Sequence, residues 1–122
     1  MKKKKFHRSG THLPVANLKE TIAYYRDVLG FHDEWTLGDK DGGIRRDDLR
    51  LLFGEDPEYV KIINTETNRF PLIWFVDNIE NIYDEYREKL DIASALQLHP
   101  YNMWEFAFID INGYYIRISE AA

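Results

Sequence analysis

The sequence predicts an α+β fold built from two copies of one βαβββ unit. Three observations predict it: an internal repeat, an amphipathic helical stripe in each copy, and short alternating segments closed by turn signals. The repeat offset is 61 residues. At that offset Val15 meets Val76, Asn17 meets Asn78, Tyr25 meets Tyr86, Arg26 meets Arg87 and Leu29 meets Leu90. A repeat this long is a supersecondary module, and two such modules make one domain.

The elements follow in chain order. His7 to Val15 alternates as a strand. Asn17 then offers an N-cap, with Glu20 placed as in a capping box. Leu18, Ile22, Tyr25 and Leu29 fall on one helical face, and Gly30 ends the helix. Phe31 to Leu37, Gly43 to Arg46 and Leu49 to Phe53 read as three strands, with Asp39-Lys40-Asp41-Gly42 as a turn between the first two. Residues 55–69 are polar, hold Pro57 and read as a linker, in which Tyr59 to Ile63 suits a short strand. Phe70 to Val76 opens the second module. Asn78 is its expected cap, and Ile79, Tyr83, Tyr86 and Leu90 form its stripe. Ser94 to Leu98, Glu105 to Ile109 and Tyr115 to Glu120 complete it, with Asn112-Gly113 as a hairpin signal. Module one thus spans about residues 7–54 and module two about 70–121, in one domain of residues 7–122.

Composition bounds the function. A chain of 122 residues with 44% hydrophobic and 15% aromatic content can bury a core, which excludes wholesale disorder. The absence of cysteine excludes a disulfide scaffold, a thiolate zinc site and a cysteine nucleophile. A net charge of -5 argues against nucleic acid as a partner. No apolar run approaches a membrane span, so no membrane partner is expected and the cytoplasm is the default compartment. Residues 1–6, with Lys2 to Lys5, read as a disordered basic tail; an anion-binding arm is the alternative.

Val15-Ala16-Asn17-Leu18, Tyr24-Tyr25-Arg26-Asp27-Val28-Leu29-Gly30-Phe31, Phe75-Val76-Asp77-Asn78-Ile79 and the closing Trp104 to Gly113 segment resemble the glyoxalase, bleomycin-resistance and extradiol-dioxygenase superfamily, also called vicinal oxygen chelate. The resemblance covers about residues 7 to 121. It implies that the two modules form an open, curved eight-stranded barrel with the helices on the outer face. It also implies where metal-using members place their four ligands. Those positions here are Gly10, Pro71, Arg50 and Arg117. None carries a metal-binding side chain. The resemblance is therefore closest to the metal-free bleomycin-resistance branch, with no cofactor expected.

Strand alternation gives a separate account of direction. Leu49, Leu51 and Phe53 share the apolar face of their strand, so Arg50 and Leu52 face the concave side. Ile116 and Ile118 share a face, so Tyr115, Arg117 and Ser119 oppose it. The same alternation places His12 with Gly10 and Pro14, and Phe75 with Pro71 and Ile73. Arginine on a concave face suits an anionic or polar organic ligand, because its fork grips carboxylate or phosphate bidentately. The internal alternative pairs Arg50 or Arg117 with Glu105 or Asp110. Trp35, Phe75, Tyr101, Trp104 and Tyr115 suit the rim of a groove that stacks on a flat ligand. Core packing or a dimer interface is the alternative for them.

The candidate ligand-binding residues are thus Arg50, Arg117, His12, Trp35, Phe75, Trp104, Glu105 and Tyr115. His7, His12, His32 and His99 invite a metal reading, with His12 on the concave strand face as the best candidate and Glu105 as a residue that could join it; ordinary surface or cavity histidines are the alternative. The leading expectation is a metal-free, non-enzymatic small-molecule-binding protein with its groove in a homodimer. The alternatives are a metal-dependent lyase, isomerase or dioxygenase with relocated ligands, and a structural or regulatory dimer without a small ligand.

Overall fold

Two four-stranded sheets carry the chain, one from each repeat. The computed structural model describes residues 2–122. The first module holds β1 (Thr11–Val15), α1 (Leu18–Asp27), β2 (His32–Leu37), β3 (Asp41–Arg46) and β4 (Leu49–Glu55). A short helix α2 (Pro57–Ile63) follows. The second module holds β5 (Leu72–Phe75), α3 (Ile79–Tyr86), β6 (Asp91–Leu98), β7 (Met103–Ile109) and β8 (Tyr115–Ala121). The strand orders are β1-β4-β3-β2 and β5-β8-β7-β6, the same plan twice. In each sheet the first and last strands of the module pair in parallel and the other neighbours are antiparallel.

The parallel pairing decides how the helices begin. In β1 and β4, Val15 sits opposite Glu55. That register brings a Glu55 carboxylate oxygen to the Leu18 N–H at 2.9 Å. Asn17 adds the expected cap, accepting from the Glu20 N–H at 2.9 Å. The second copy departs from the expectation. Asn78 takes a left-handed backbone (φ 60°) and its side chain makes no cap bond. Glu120 on β8 caps α3 instead, accepting from the N–H groups of Asn78 and Ile79 at 3.0 Å each. The carboxylate also suits the positive end of the helix.

The linker is a second correction. Residues 57–63 form a helix rather than a strand. Asp56 accepts from the Tyr59 N–H at 3.2 Å, and Pro57 occupies the first turn, where its missing N–H costs nothing. The first strand begins at Thr11 rather than at His7, and residues 2–10 carry no helix or strand and are exposed. Met1, which the expected tail includes, lies outside the described residues.

The core lies between the helices and the covered faces of both sheets, and the modules share it. Trp74 of β5 packs against Tyr25 and Phe31 of the first module, with ring centroids 6.4 and 5.7 Å away. Hydrogen bonds stitch the same seam. The Tyr25 hydroxyl donates to Asp110 at 2.6 Å, and the Tyr86 hydroxyl donates to the Leu29 carbonyl at 2.5 Å. Arg46 crosses the seam to Glu85 with contacts of 2.8 and 3.0 Å. Its Nη1 also donates to the Leu29 carbonyl and the Tyr86 oxygen. No strand of one sheet pairs with a strand of the other among the described residues. Strand pairing within one chain therefore does not close a barrel. Each sheet instead turns one face inward and leaves the other open. On β4, Leu51 and Phe53 are buried while Arg50 and Leu52 are exposed. On β5, Trp74 is buried while Ile73 and Phe75 are exposed.

Candidate functional site

The open face of the second sheet gathers most of the chemistry. Cross-strand pairing of β7 with β8 sets Glu105 beside Ser119, Ala107 beside Arg117 and Ile109 beside Tyr115. Directly paired residues share a face. Phe75 joins the first of these rows through its pairing with Ser119, and Ile73 joins the second through Arg117. The turn between β6 and β7 brings His99 and Tyr101 over the same face, their rings stacked with centroids 5.2 Å apart. Ser94, His99, Tyr101, Glu105, Ala107, Tyr115 and Arg117 line a cleft of about 100 Å³.

Glu105 organises this cleft. It is only 5% exposed. One carboxylate oxygen accepts from the Tyr101 hydroxyl and the other from the Ser119 hydroxyl at 2.6 Å. His99 Nε2 stands 3.7 Å from the first oxygen, and Arg117 Nε stands 3.6 Å from the second. Burial pushes the Glu105 carboxyl up, but the two hydroxyl donors and the Arg117 charge outweigh it and hold the group below its ordinary range. The carboxylate is thus ionised and already carries two hydrogen bonds.

Arg117 is less well served. Its Nε is buried and makes no hydrogen bond. The side chain as a whole keeps 35% of its surface exposed. The structure therefore gives Arg117 an ionic neighbour in Glu105, as the internal alternative requires, but leaves the guanidinium without an acceptor among the described residues. Arginine donors left in this state favour an incoming carboxylate or phosphate.

One further cation belongs here, and the sequence reading did not select it. The Arg69 guanidinium carbon sits 5.5 Å from the centroid of the Tyr115 ring. Arg69 comes from the segment between α2 and β5, and its side chain has no hydrogen-bond or ion-pair partner among the described residues.

The remaining candidates lie elsewhere. Arg50, His12 and Trp35 are on the open face of the first sheet. Arg50 is exposed, sits opposite Arg45 and has no ion-pair partner among the described residues. The Trp35 indole lies over Gly43, where an added Cβ would meet Trp35 Nε1 at 2.6 Å. The His12 ring lies over Gly54 in the same way. Trp104 pairs with Glu120 and lines a cleft with Asn78 and Ile79, so it faces the helix and not the groove. Strand parity explains this, since Trp104 is the immediate neighbour of Glu105, which is on the open face. His12 and Glu105 stand on different sheets. Among the described residues, no three His, Asp or Glu side chains gather as a metal set.

Known structures share this architecture. No protein-family model matches the chain, and no curated protein matches it in sequence. The bleomycin-binding protein of Streptomyces verticillus, solved with copper(II)-bleomycin, superposes with a TM-score of 0.77 at 18% identity, over 98% of this chain and 100% of that one. UcmS2 superposes with a TM-score of 0.76 at 16% identity, over 95% and 98%. TioX from Micromonospora sp. ML1 superposes with a TM-score of 0.70 at 14% identity, over 95% and 97%. The chain has the fold of the bleomycin-binding proteins.

Proposed function

We propose that this protein binds a small organic anion on the open face of its second sheet, without metal or covalent chemistry, and that it works as a homodimer in the cytoplasm. The observation that carries the reading is Arg117. Its side chain is partly exposed at the wall of a cleft that Glu105 and Tyr115 also line, and its guanidinium, with a buried Nε, has no hydrogen-bond acceptor among the described residues. Glu105 fixes the inner side of the fork through charge, and the outer nitrogens are left for a ligand. Similarity of fold to proteins that hold a drug supports binding as the function class. The chemistry of the ligand comes from this chain's own residues.

The dimer rests on exposed apolar surface. Trp35, Leu37 and Leu52 are 46%, 71% and 36% exposed on the first sheet, and Ile73 and Phe75 are 41% and 74% exposed on the second. Open sheet faces with this content favour burial against another copy, where two faces together curl around a groove. A thermal-shift screen of small carboxylates, phosphates and aromatic acids tests the function. Stabilisation of the wild type by anions, lost in Arg117→Ala, is the expected result. Stabilisation by neutral or cationic compounds alone would overturn it.

A further inference from the structure

We propose that the ligand carries two anionic groups on a flat, apolar frame, one received by Arg117 and the other by Arg69, with the Tyr115 ring between them. This inference rests on the reading of Arg117 as the anion receiver. Tyr115 and Arg117 lie two apart on β8, and so on one face, separated by roughly 7 Å along the strand. Arg69 lies over the Tyr115 ring, its guanidinium carbon 5.5 Å from the centroid. A cation over a ring keeps its N–H donors free in the ring plane of the fork, so this contact holds Arg69 in place without using its hydrogen-bonding capacity.

The hydrogen-bonding balance of the cleft, rather than its net charge, supports two anionic groups, because neither the Arg117 nor the Arg69 guanidinium has an acceptor among the described residues. Glu105 has one cation at 3.6 Å, Arg117, and meets most of its own needs with the Tyr101 and Ser119 hydroxyls. Arg69 has no carboxylate within ion-pair distance among the described residues. A monoanion at Arg117 leaves the Arg69 donors without an acceptor, whereas a ligand with two anionic groups serves both guanidinium groups. The chain as a whole carries a net charge of -5. General electrostatics therefore repels a dianion more than a monoanion, and any preference for the dianion reports local contacts.

The test compares benzoate with isophthalate and terephthalate by calorimetry at constant ionic strength, on wild type, Arg69→Gln and Arg117→Gln. Near-ultraviolet circular dichroism establishes that each variant keeps its fold. The wild type is expected to bind one of the dicarboxylates at least about tenfold more tightly than benzoate. Arg69→Gln should abolish that advantage, weakening the dicarboxylate at least about fivefold more than it weakens benzoate. Arg117→Gln should weaken all three. Benzoate binding with no dicarboxylate advantage, or an advantage that survives Arg69→Gln, overturns the two-anion inference and leaves the Arg117 reading standing. No binding of any of the three to wild type overturns both.

Discussion

Tyr25 and Tyr86 each donate their hydroxyl across the seam between modules, Tyr25 to Asp110 and Tyr86 to the Leu29 carbonyl. Both rings are buried, at 0% and 2% exposure. They hold the same place in the two repeats, so one helical position does the same work twice. Removing the Tyr25 hydroxyl strands a buried carboxylate oxygen, whereas the Leu29 carbonyl keeps its Arg46 donor when the Tyr86 hydroxyl is lost. Tyr25→Phe should cost about 1.5–3 kcal/mol, because its acceptor is a carboxylate, and Tyr86→Phe about 1 kcal/mol. Chemical denaturation of the two variants checks the order.

Asp110 makes the seam sensitive to pH. Burial raises its pKa from 3.8 to about 6, against the opposing effect of hydrogen bonds from Tyr25 and the backbone of residues 112 to 114. A carboxyl with a raised native pKa contributes its stability fully below pH 4 and loses it as pH rises through about 6. The loss is about 3 kcal/mol. Other carboxylates, including Glu105 and Glu55, are shifted the opposite way and mask this trend. The difference in unfolding free energy between wild type and Asp110→Asn isolates it. That difference should move against the wild type between pH 4 and 7.5. Tyr25→Phe should shift the midpoint upward, since it removes a hydrogen bond that favours the ionised form.

Glu120 should matter more to α3 than its expected cap does. Its carboxylate serves two helix N–H groups, and Asn78 serves none with its side chain. Glu120→Ala is expected to cost about 1–2 kcal/mol. Asn78→Gly should be neutral or slightly stabilising, because glycine accepts a φ of 60° without strain. Thermal unfolding of both variants checks the contrast.

The sequence carried the repeat, and the repeat carried the fold. Helical stripes such as Leu18, Ile22, Tyr25 and Leu29 and the Asn112-Gly113 hairpin depend on local spacing, so they are legible. Arg117 and Arg50 were placed on open faces by alternation alone. The Glu120 cap was not legible, because it depends on the register between β5 and β8, which are distant in sequence. Arg69 escaped for the same reason. Its meaning comes from Tyr115, 46 residues later. The α2 helix was legible in Asp56-Pro57-Glu58 as a cap followed by proline, but proline was read as a linker signal. Trp104 was assigned to the groove by residue type, and one step of strand parity reverses that.

The proposed homodimer rests on the exposed faces. Sedimentation at micromolar concentration should give twice the mass of the 14.5 kDa chain. Phe75→Asp should shift the population toward monomer, since Phe75 is the most exposed apolar residue on the second sheet's strands. A wild-type monomer would remove the shared groove while leaving the cleft beneath Tyr101 in place.

The central claim is that Arg117 receives the ligand's anionic group. Titration of the isotopically labelled protein with benzoate, followed by amide chemical shifts, tests it most directly. Saturable shifts are expected at Ser94, His99, Tyr101, Ala107 and Tyr115 to Arg117, and they should disappear in Arg117→Ala with the rest of the spectrum preserved. Shifts concentrated instead around Asp47, Asp48 and Asp77, which line a separate cleft of about 470 Å³, or shifts unchanged by Arg117→Ala, would contradict it.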